Sequence, residues 1–217
     1  MQDKVVVVVA GGEPPVANAA LAAPTGAFVI AADGGVEHAR ELGLDVALVV
    51  GDLDSASPVE IEAAKGRGAH VERHPEDKDA TDLELALDVA LARDPSRVLV
   101  LAGDGGRLDH FLANALLLAS EKYAGVSIDG TVGAARVHVL REERTFEGAP
   151  GDLLSLLPLH GAAEGVRTEG LRYPLAGETL EPGSSRGISN VFTGNSARVS
   201  LERGVLLAVR PDSEGPS

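Results

Sequence analysis

Residues 46–66 read VALVVGDLDSASPVEIEAAKG, and this stretch sets the pattern of the first part of the chain. An apolar run, Val46–Val50, ends in an acidic turn at residues 51–55. A helix is predicted at Pro58–Gly66, because Ser57 and Glu60 have the spacing of a capping box and Pro58 takes the first helical position. A buried strand, a polar turn and a helix in this order predict one unit of a parallel α/β sheet.

The same alternation extends on both sides of this stretch. Predicted strands are Val5–Ala10, Ala27–Ala32, Val46–Val50, His70–Arg73 and Arg97–Ala102. Predicted helices are Val36–Leu42, Pro58–Gly66, Leu83–Ala92 and His110–Glu121. Strands that alternate with helices indicate a parallel sheet with helices on both faces.

The pattern changes near residue 135, where short strands follow one another without helices. They are predicted at Arg136–Arg141, Leu153–Leu157, Glu164–Thr168, Ser196–Leu201 and Val205–Arg210. The last two are expected to form a hairpin through Glu202-Arg203-Gly204. The fold class is therefore α/β, with an N-terminal parallel-sheet domain at 1–140 and a smaller antiparallel all-β sandwich or barrel at 141–217.

Composition excludes several classes of function. The chain carries 33 Asp and Glu against 19 Lys and Arg, a net charge of −14, so we expect no nucleic-acid partner. Cysteine is absent, which excludes disulfides and thiolate sites and fits a cytoplasmic protein. The apolar runs are too short to span a bilayer and no signal peptide is evident, so we expect no membrane partner.

Polar residues follow each predicted strand of the first domain. The segments are Gly11-Gly12, Asp33-Gly34-Gly35, residues 51–55, residues 77–82 and residues 103–110. The carboxyl edge of a parallel sheet is where open α/β folds bind ligands. Several carboxylates, glycine pairs, a lysine and an arginine are thus expected on one rim.

Each motif also has an ordinary explanation when taken alone. Asp52 and Asp54 could shape a turn, Thr81 and Asp82 could start a helix, and Arg107 could be a solvated surface residue. Because five such explanations would have to coincide at one edge, their co-location favours a site for a metal and phosphates. Mg²⁺ suits this arrangement, since it binds a few carboxylates together with substrate phosphates.

At these residues the sequence resembles the thiamine pyrophosphokinase (thiamine diphosphokinase) family. The resemblance rests on motifs in both parts of the chain. They are residues 32–35 (ADGG), 51–55 (GDLDS), 78–82 (KDATD), 105–110 (GGRLDH), 155–158 (SLLP), 170–175 (GLRYPL) and 188–190 (ISN). Each motif is short, but seven in the right order are specific.

The resemblance implies transfer of the diphosphate of ATP to the hydroxyl of thiamine, which gives thiamine diphosphate and AMP. It also implies Mg²⁺, and a homodimer whose sites form between subunits. The implied metal ligands are Asp52, Asp54 and Asp82, and the implied ATP-binding residues are Asp33, Gly34, Gly35, Lys78, Thr81 and Arg107. Ser189 and Asn190 would contact thiamine. Asp79, Asp109 and Arg107 are the implied catalytic residues, and either Asp79 or Asp109 could accept the hydroxyl proton.

Two alternatives stay open at this point. Val191 follows Asn190 where many family members carry an acidic residue, and the chain has no Trp. The acceptor could therefore be another alcohol, such as a hydroxymethyl pterin. The chain could also be a non-catalytic module that binds thiamine or a nucleotide.

Overall fold

A computed structural model describes residues 4–75, 77 and 79–211, which form two compact units. The first unit contains residues up to Leu117 and Gly125–Ala134, and the second contains Leu118–Ala124 and everything from Ala135 onward. Among the residues described, no helix is long and apolar enough to cross a membrane.

The first unit is built on a parallel sheet of six strands. They are β1 (Val5–Val9), β2 (Phe28–Ala32), β3 (Val46–Gly51), β4 (His70–Arg73), β5 (Arg97–Ala102) and β6 (Ser127–Val132). The strand order is β4-β3-β2-β1-β5-β6, with every pair parallel. The predicted α/β class is confirmed, and β6 is a strand that the sequence did not predict.

In the part of the chain that the structure describes, four α-helices follow strands of this sheet. They are α1 (Gly35–Glu41), α2 (Pro58–Gly66), α3 (Asp82–Leu91) and α4 (Leu108–Leu118). The predicted capping box of α3 is confirmed on one side, because Thr81 Oγ1 accepts a hydrogen bond from the Glu84 N–H at 3.2 Å. The capping box of α2 is wrong: Ser57 makes no side-chain cap, and its N–H donates instead to Glu37 Oε1 at 2.7 Å.

One core cluster of the first unit lies between this sheet and α1 and α2. Val7, Val9, Val49 and Leu101 of the sheet are fully buried, and Ile61 of α2 packs into the same cluster. Near-continuous Val and Leu runs are typical of strands that are covered on both faces. This packing fixes the carboxyl ends of the strands, where the polar loops begin.

The second unit is antiparallel throughout. Its strands are β7 (Ala135–Leu140), β8 (Glu143–Glu147), β9 (Leu153–Glu169), β10 (Ala176–Leu180), β11 (Asn190–Val191), β12 (Ser196–Ser200) and β13 (Arg203–Arg210). Their order is β7-β13-β9-β12-β8, with β10 and β11 paired to β9. The predicted all-β class of this part is confirmed.

Strand β9 is the centre of the second unit. It spans 17 residues and joins two segments that were predicted as separate strands. His160 and Gly161 interrupt it with positive φ angles of 57° and 143°. The predicted hairpin through Glu202-Arg203-Gly204 is wrong, because β9 lies between β12 and β13 and pairs with both.

Candidate active site

Three carboxylates meet at the carboxyl edge of the parallel sheet. Asp33 follows β2, Asp52 follows β3, and Asp82 is the first residue of α3. Each offers an oxygen, and these oxygens all lie within 4.8 Å of one another, close enough to share a metal ion. Two of the three, Asp52 and Asp82, are predicted metal ligands. Asp33 is predicted to bind ATP instead.

Asp33 is the buried member of this group, with 6% of the residue exposed. Burial raises the pKa of its carboxyl above the ordinary value, and the charges of Asp82 and Asp54 raise it further, while hydrogen bonds from Gly34 and Ser55 lower it. Within the described part of the chain, its buried Oδ1 has no hydrogen-bond partner. An orphaned carboxylate oxygen beside two further carboxylates suits a divalent cation, since such burial is costly unless the charge is neutralised.

Gly51 makes room for this cluster at the end of β3. A Cβ there would lie 2.8 Å from Asp82 Oδ1 and 3.2 Å from Asp33 Cβ. The φ angle of Gly51 is 149°, which side chains rarely adopt. The conformation and the space both require glycine, so the motif that begins with Gly51 shapes the cluster through its backbone as well as through Asp52.

Asp54 lies outside the group of three. Its Oδ1 accepts a hydrogen bond from Ser55 Oγ at 2.9 Å, and its N–H donates to Asp52 Oδ1 at 3.2 Å. Between the two acids, Leu53 adopts a φ of 64° and is buried, 8% exposed. The turn thus directs Asp52 into the cluster and leaves Asp54 exposed.

Two residues predicted to bind ATP have structural roles. Thr81 caps α3 through the hydrogen bond described above. A Cβ on Gly35 would overlap the carbonyl oxygen of Val9, so glycine is needed there for α1 to pack on β1. Gly34 precedes α1 at its N-cap, and Lys78 lies outside the described residues.

Arg107 and Asp109 form an exposed two-point ion pair at the start of α4. Arg107 Nε and an Nη donate to the two carboxylate oxygens of Asp109, at 3.2 and 2.6 Å. The hydrogen bonds from Arg107 lower the pKa of Asp109 to about 2. A carboxylate with so low a pKa is a weak proton acceptor.

In the second unit, Ser189 and Asn190 are neighbours with different environments. Ser189 is exposed, adopts a φ of 54°, and donates its N–H to Ser155 Oγ at 2.9 Å. Asn190 is buried, and its amide contacts the backbone of Tyr173. Ser155 and Tyr173 belong to sequence motifs that carried the family resemblance, but sequence reasoning gave neither of them a role.

Comparison with known proteins agrees with this two-part architecture. Residues 22–128 match the family model for the catalytic domain of thiamin pyrophosphokinase, and residues 136–206 match its vitamin B1 binding domain. Thiamine pyrophosphokinase from Bacillus subtilis (strain 168) is 27% identical over 192 residues, which are 83% of this chain and 86% of that protein.

Solved structures give the same result. The crystal structure of thiamine pyrophosphokinase from Bacillus subtilis matches with a TM-score of 0.84 at 27% identity, over 96% of this chain and 100% of that one. A thiamin pyrophosphokinase family protein from Enterococcus faecalis matches with a TM-score of 0.80 at 27% identity, over 97% and 100%. Since both domain models match in order and the folds coincide over nearly their whole length, the chain belongs to the thiamine pyrophosphokinase family.

Proposed function

We propose that the chain transfers the diphosphate of ATP to the hydroxyl of thiamine, giving thiamine diphosphate and AMP. One observation carries the catalytic half of this proposal. In the domain that matches the family's catalytic model, two strands and one helix bring Asp33, Asp52 and Asp82 together, and the buried Oδ1 of Asp33 has no partner among the described residues. A binding module would have little need for three converging carboxylates beside a polyphosphate.

Asp33, Asp52 and Asp82 would hold a Mg²⁺ ion, which when bound neutralises phosphate charge as the bond to the leaving AMP breaks. Asp54 remains a predicted fourth ligand from the same turn. The residues predicted to bind ATP remain Asp33, Gly34, Gly35, Lys78, Thr81 and Arg107, all within 1–140. The thiamine hydroxyl oxygen attacks the β-phosphorus, a P–O bond forms, and the bond to the α–β bridging oxygen breaks with AMP as the leaving group.

Asp79 is the proposed proton acceptor for the attacking hydroxyl. The low pKa of Asp109 supports this choice, because the ion pair with Arg107 already uses both oxygens of its carboxylate. Asp109 then orients the Arg107 guanidinium, whose planar fork suits phosphate oxygens. Thiamine binds in the 141–217 part, where Ser189 is exposed to solvent.

We further propose a homodimer that uses α4. Leu108, Phe111, Leu112 and Leu116 are 69%, 37%, 53% and 46% exposed, and their spacing places them on one helix face. Such an apolar stripe is typical of a surface that another protein covers. Light scattering should give twice the 22.2 kDa chain mass, and Leu112→Glu should return it to the monomer value.

The activity test uses purified protein with Mg-ATP and thiamine, with AMP and thiamine diphosphate measured by chromatography. We expect both products in equal amounts and none when Mg²⁺ is chelated. Parallel reactions with a hydroxymethyl pterin and with water as acceptors should release little AMP. Product from the pterin alone, or calorimetric binding of thiamine without turnover, would overturn the assignment.

A further inference from the structure

The side-chain amide of Asn190 is buried and hydrogen-bonded to backbone groups of the protein. Asn190 is 3% exposed. Its Oδ1 accepts hydrogen bonds from the N–H groups of Tyr173 and Val191, at 3.0 and 2.9 Å, and its Nδ2 donates to the carbonyl of Tyr173 at 2.7 Å. Both lone pairs of Oδ1 are thereby used, and only one Nδ2 hydrogen has no described partner. A buried amide engaged in this way is poorly placed to bind a substrate directly.

The segment that Asn190 holds is also fixed on the N-terminal side of Tyr173. The Arg172 N–H donates to the Val191 carbonyl at 2.8 Å, and the Thr193 N–H donates to the Gly170 carbonyl at 2.9 Å. Tyr173 nevertheless stays 55% exposed. The result is an aromatic ring presented to solvent on a backbone whose N–H and C=O are both fixed by one amide.

A second side chain acts on Ser189 in a similar way. Ser189 has a φ of 54°, a conformation that costs energy for a residue with a Cβ unless its surroundings hold it. Ser155 of β9 supplies such a contact, because its hydroxyl accepts the Ser189 N–H at 2.9 Å. Asn190 and Ser155 therefore each hold the backbone of a neighbour whose side chain faces solvent.

We propose that Asn190 and Ser155 are positioning residues for thiamine, acting through Tyr173 and Ser189 respectively. The thiazolium ring of thiamine is a flat cation, and an exposed tyrosine ring on a fixed backbone offers the face that such a cation favours. Because the backbone of Tyr173 is already fixed, less conformational entropy is lost when thiamine binds. This inference rests on the proposed function, and it changes the expected role of Asn190 from substrate contact to support of Tyr173.

The test is steady-state kinetics of Asn190→Ala, Tyr173→Ala and the double variant. Asn190→Ala should raise KM for thiamine about tenfold, with kcat and KM for ATP changed less than about twofold. Because Asn190 acts through Tyr173, the double variant should be no worse than Tyr173→Ala alone. Ser155→Ala should raise KM for thiamine by a smaller factor. Additive losses in the double variant, or an unchanged KM in Asn190→Ala, would overturn the inference.

A matched control and a second readout separate this role from general loosening of the fold. Ser184→Ala removes another exposed hydroxyl that accepts a backbone N–H, that of Arg186 at 3.1 Å, and should leave the kinetics unchanged. Hydrogen exchange should speed up at the Tyr173 amide in Asn190→Ala and at the Ser189 amide in Ser155→Ala. If Asn190→Ala does not fold, the proposed role of Ser155 is tested by Ser155→Ala alone. An unchanged KM for thiamine in that variant would then overturn the inference. Absence of turnover in the wild type would refute the proposed function instead.

Discussion

The acidic cluster of the first unit and the Asn190–Ser155 region of the second use polar side chains in opposite ways. In the cluster, the carboxyl groups of Asp52 and Asp82 converge on that of the buried Asp33, and this crowding of acidic groups is relieved when a cation binds. In the second region, the Asn190 amide and the Ser155 hydroxyl accept hydrogen bonds from backbone N–H groups. These polar groups are therefore satisfied without a ligand. The first arrangement supplies negative charge for metal binding, whereas the second fixes the backbone of residues proposed to contact thiamine. Substitutions in the cluster should therefore lower the rate of transfer, and substitutions in the second region should raise KM for thiamine.

The largest expected effect is the loss of charge from the cluster. Asp52→Asn should lower kcat/KM by about a thousandfold or more, because the phosphate charge that develops in transfer would lose its metal. The melting temperature should stay the same or rise, since repulsion with its neighbours is relieved. Asp94→Asn is the matched control, because Asp94 is exposed at the other end of α3 and its φ of 52° is one that Asn tolerates. Equal losses in both variants would refute a special role for the cluster.

The next largest effect separates packing from charge within the same sheet edge. Gly35→Ala should destabilise the protein by about 3 kcal/mol or more, because the new Cβ overlaps the Val9 carbonyl. Gly66→Ala, at the open end of α2, should change stability by less than about 1 kcal/mol. Urea unfolding measures both. A Gly35→Ala protein of wild-type stability that fails only to bind ATP would show that nucleotide contact matters there more than packing.

A smaller effect distinguishes Asp33 from Asp54 as a metal ligand. Mn²⁺ affinity, measured by calorimetry, should fall about tenfold or more in Asp33→Asn, because an orphaned buried oxygen loses its charge. Asp54→Asn should weaken Mn²⁺ less, since Asp54 is engaged with Ser55 and lies outside the group of three. The reverse order would restore Asp54 as the principal ligand.

The smallest effect concerns pH. The pKa of Asp109 lies near 2, so its carboxylate is ionised throughout the range from pH 5 to 9 and does not titrate there. The acid limb of the profile of kcat against pH should therefore keep its position in Asp109→Asn, even if the rate falls as Arg107 loses its partner. Movement of that limb to a different pH would identify Asp109 as the proton acceptor.

Local sequence patterns predicted the first unit well for a physical reason. Uninterrupted runs such as Val46–Val50 are buried on both faces, so periodicity alone indicates their state. Strand β6 was missed because Asp129 and Gly130 interrupt its apolar pattern, although Asp129 is buried and lies 3.7 Å from Arg97. The hairpin was mispredicted because β9, which lies between the two strands, is more than 25 residues earlier in the chain.

The site divides in the same way. Asp52 and Asp82 were expected near one another because the ends of parallel strands share an edge. The burial of Asp33 could not be predicted from the sequence, since it depends on how α1 and β3 pack around the end of β2. The role of Asn190 was hidden for a similar reason: its partner Tyr173 lies 17 residues away, and no local pattern records which backbone group an amide contacts.

The arrangement of β9 and β13 also bears on how the protein is made. The six strands of the first unit are complete once residue 132 has been synthesised, so that unit has all its sheet partners early. In the second unit, β9 and β7 must both wait for β13, which is formed by residues 203–210. Until those residues leave the ribosome, the edges of β7 and β9 that pair with β13 remain unpaired, a state that favours aggregation. We therefore expect nascent chains arrested before Arg203 to need chaperone binding at β9, while the first unit already resists protease.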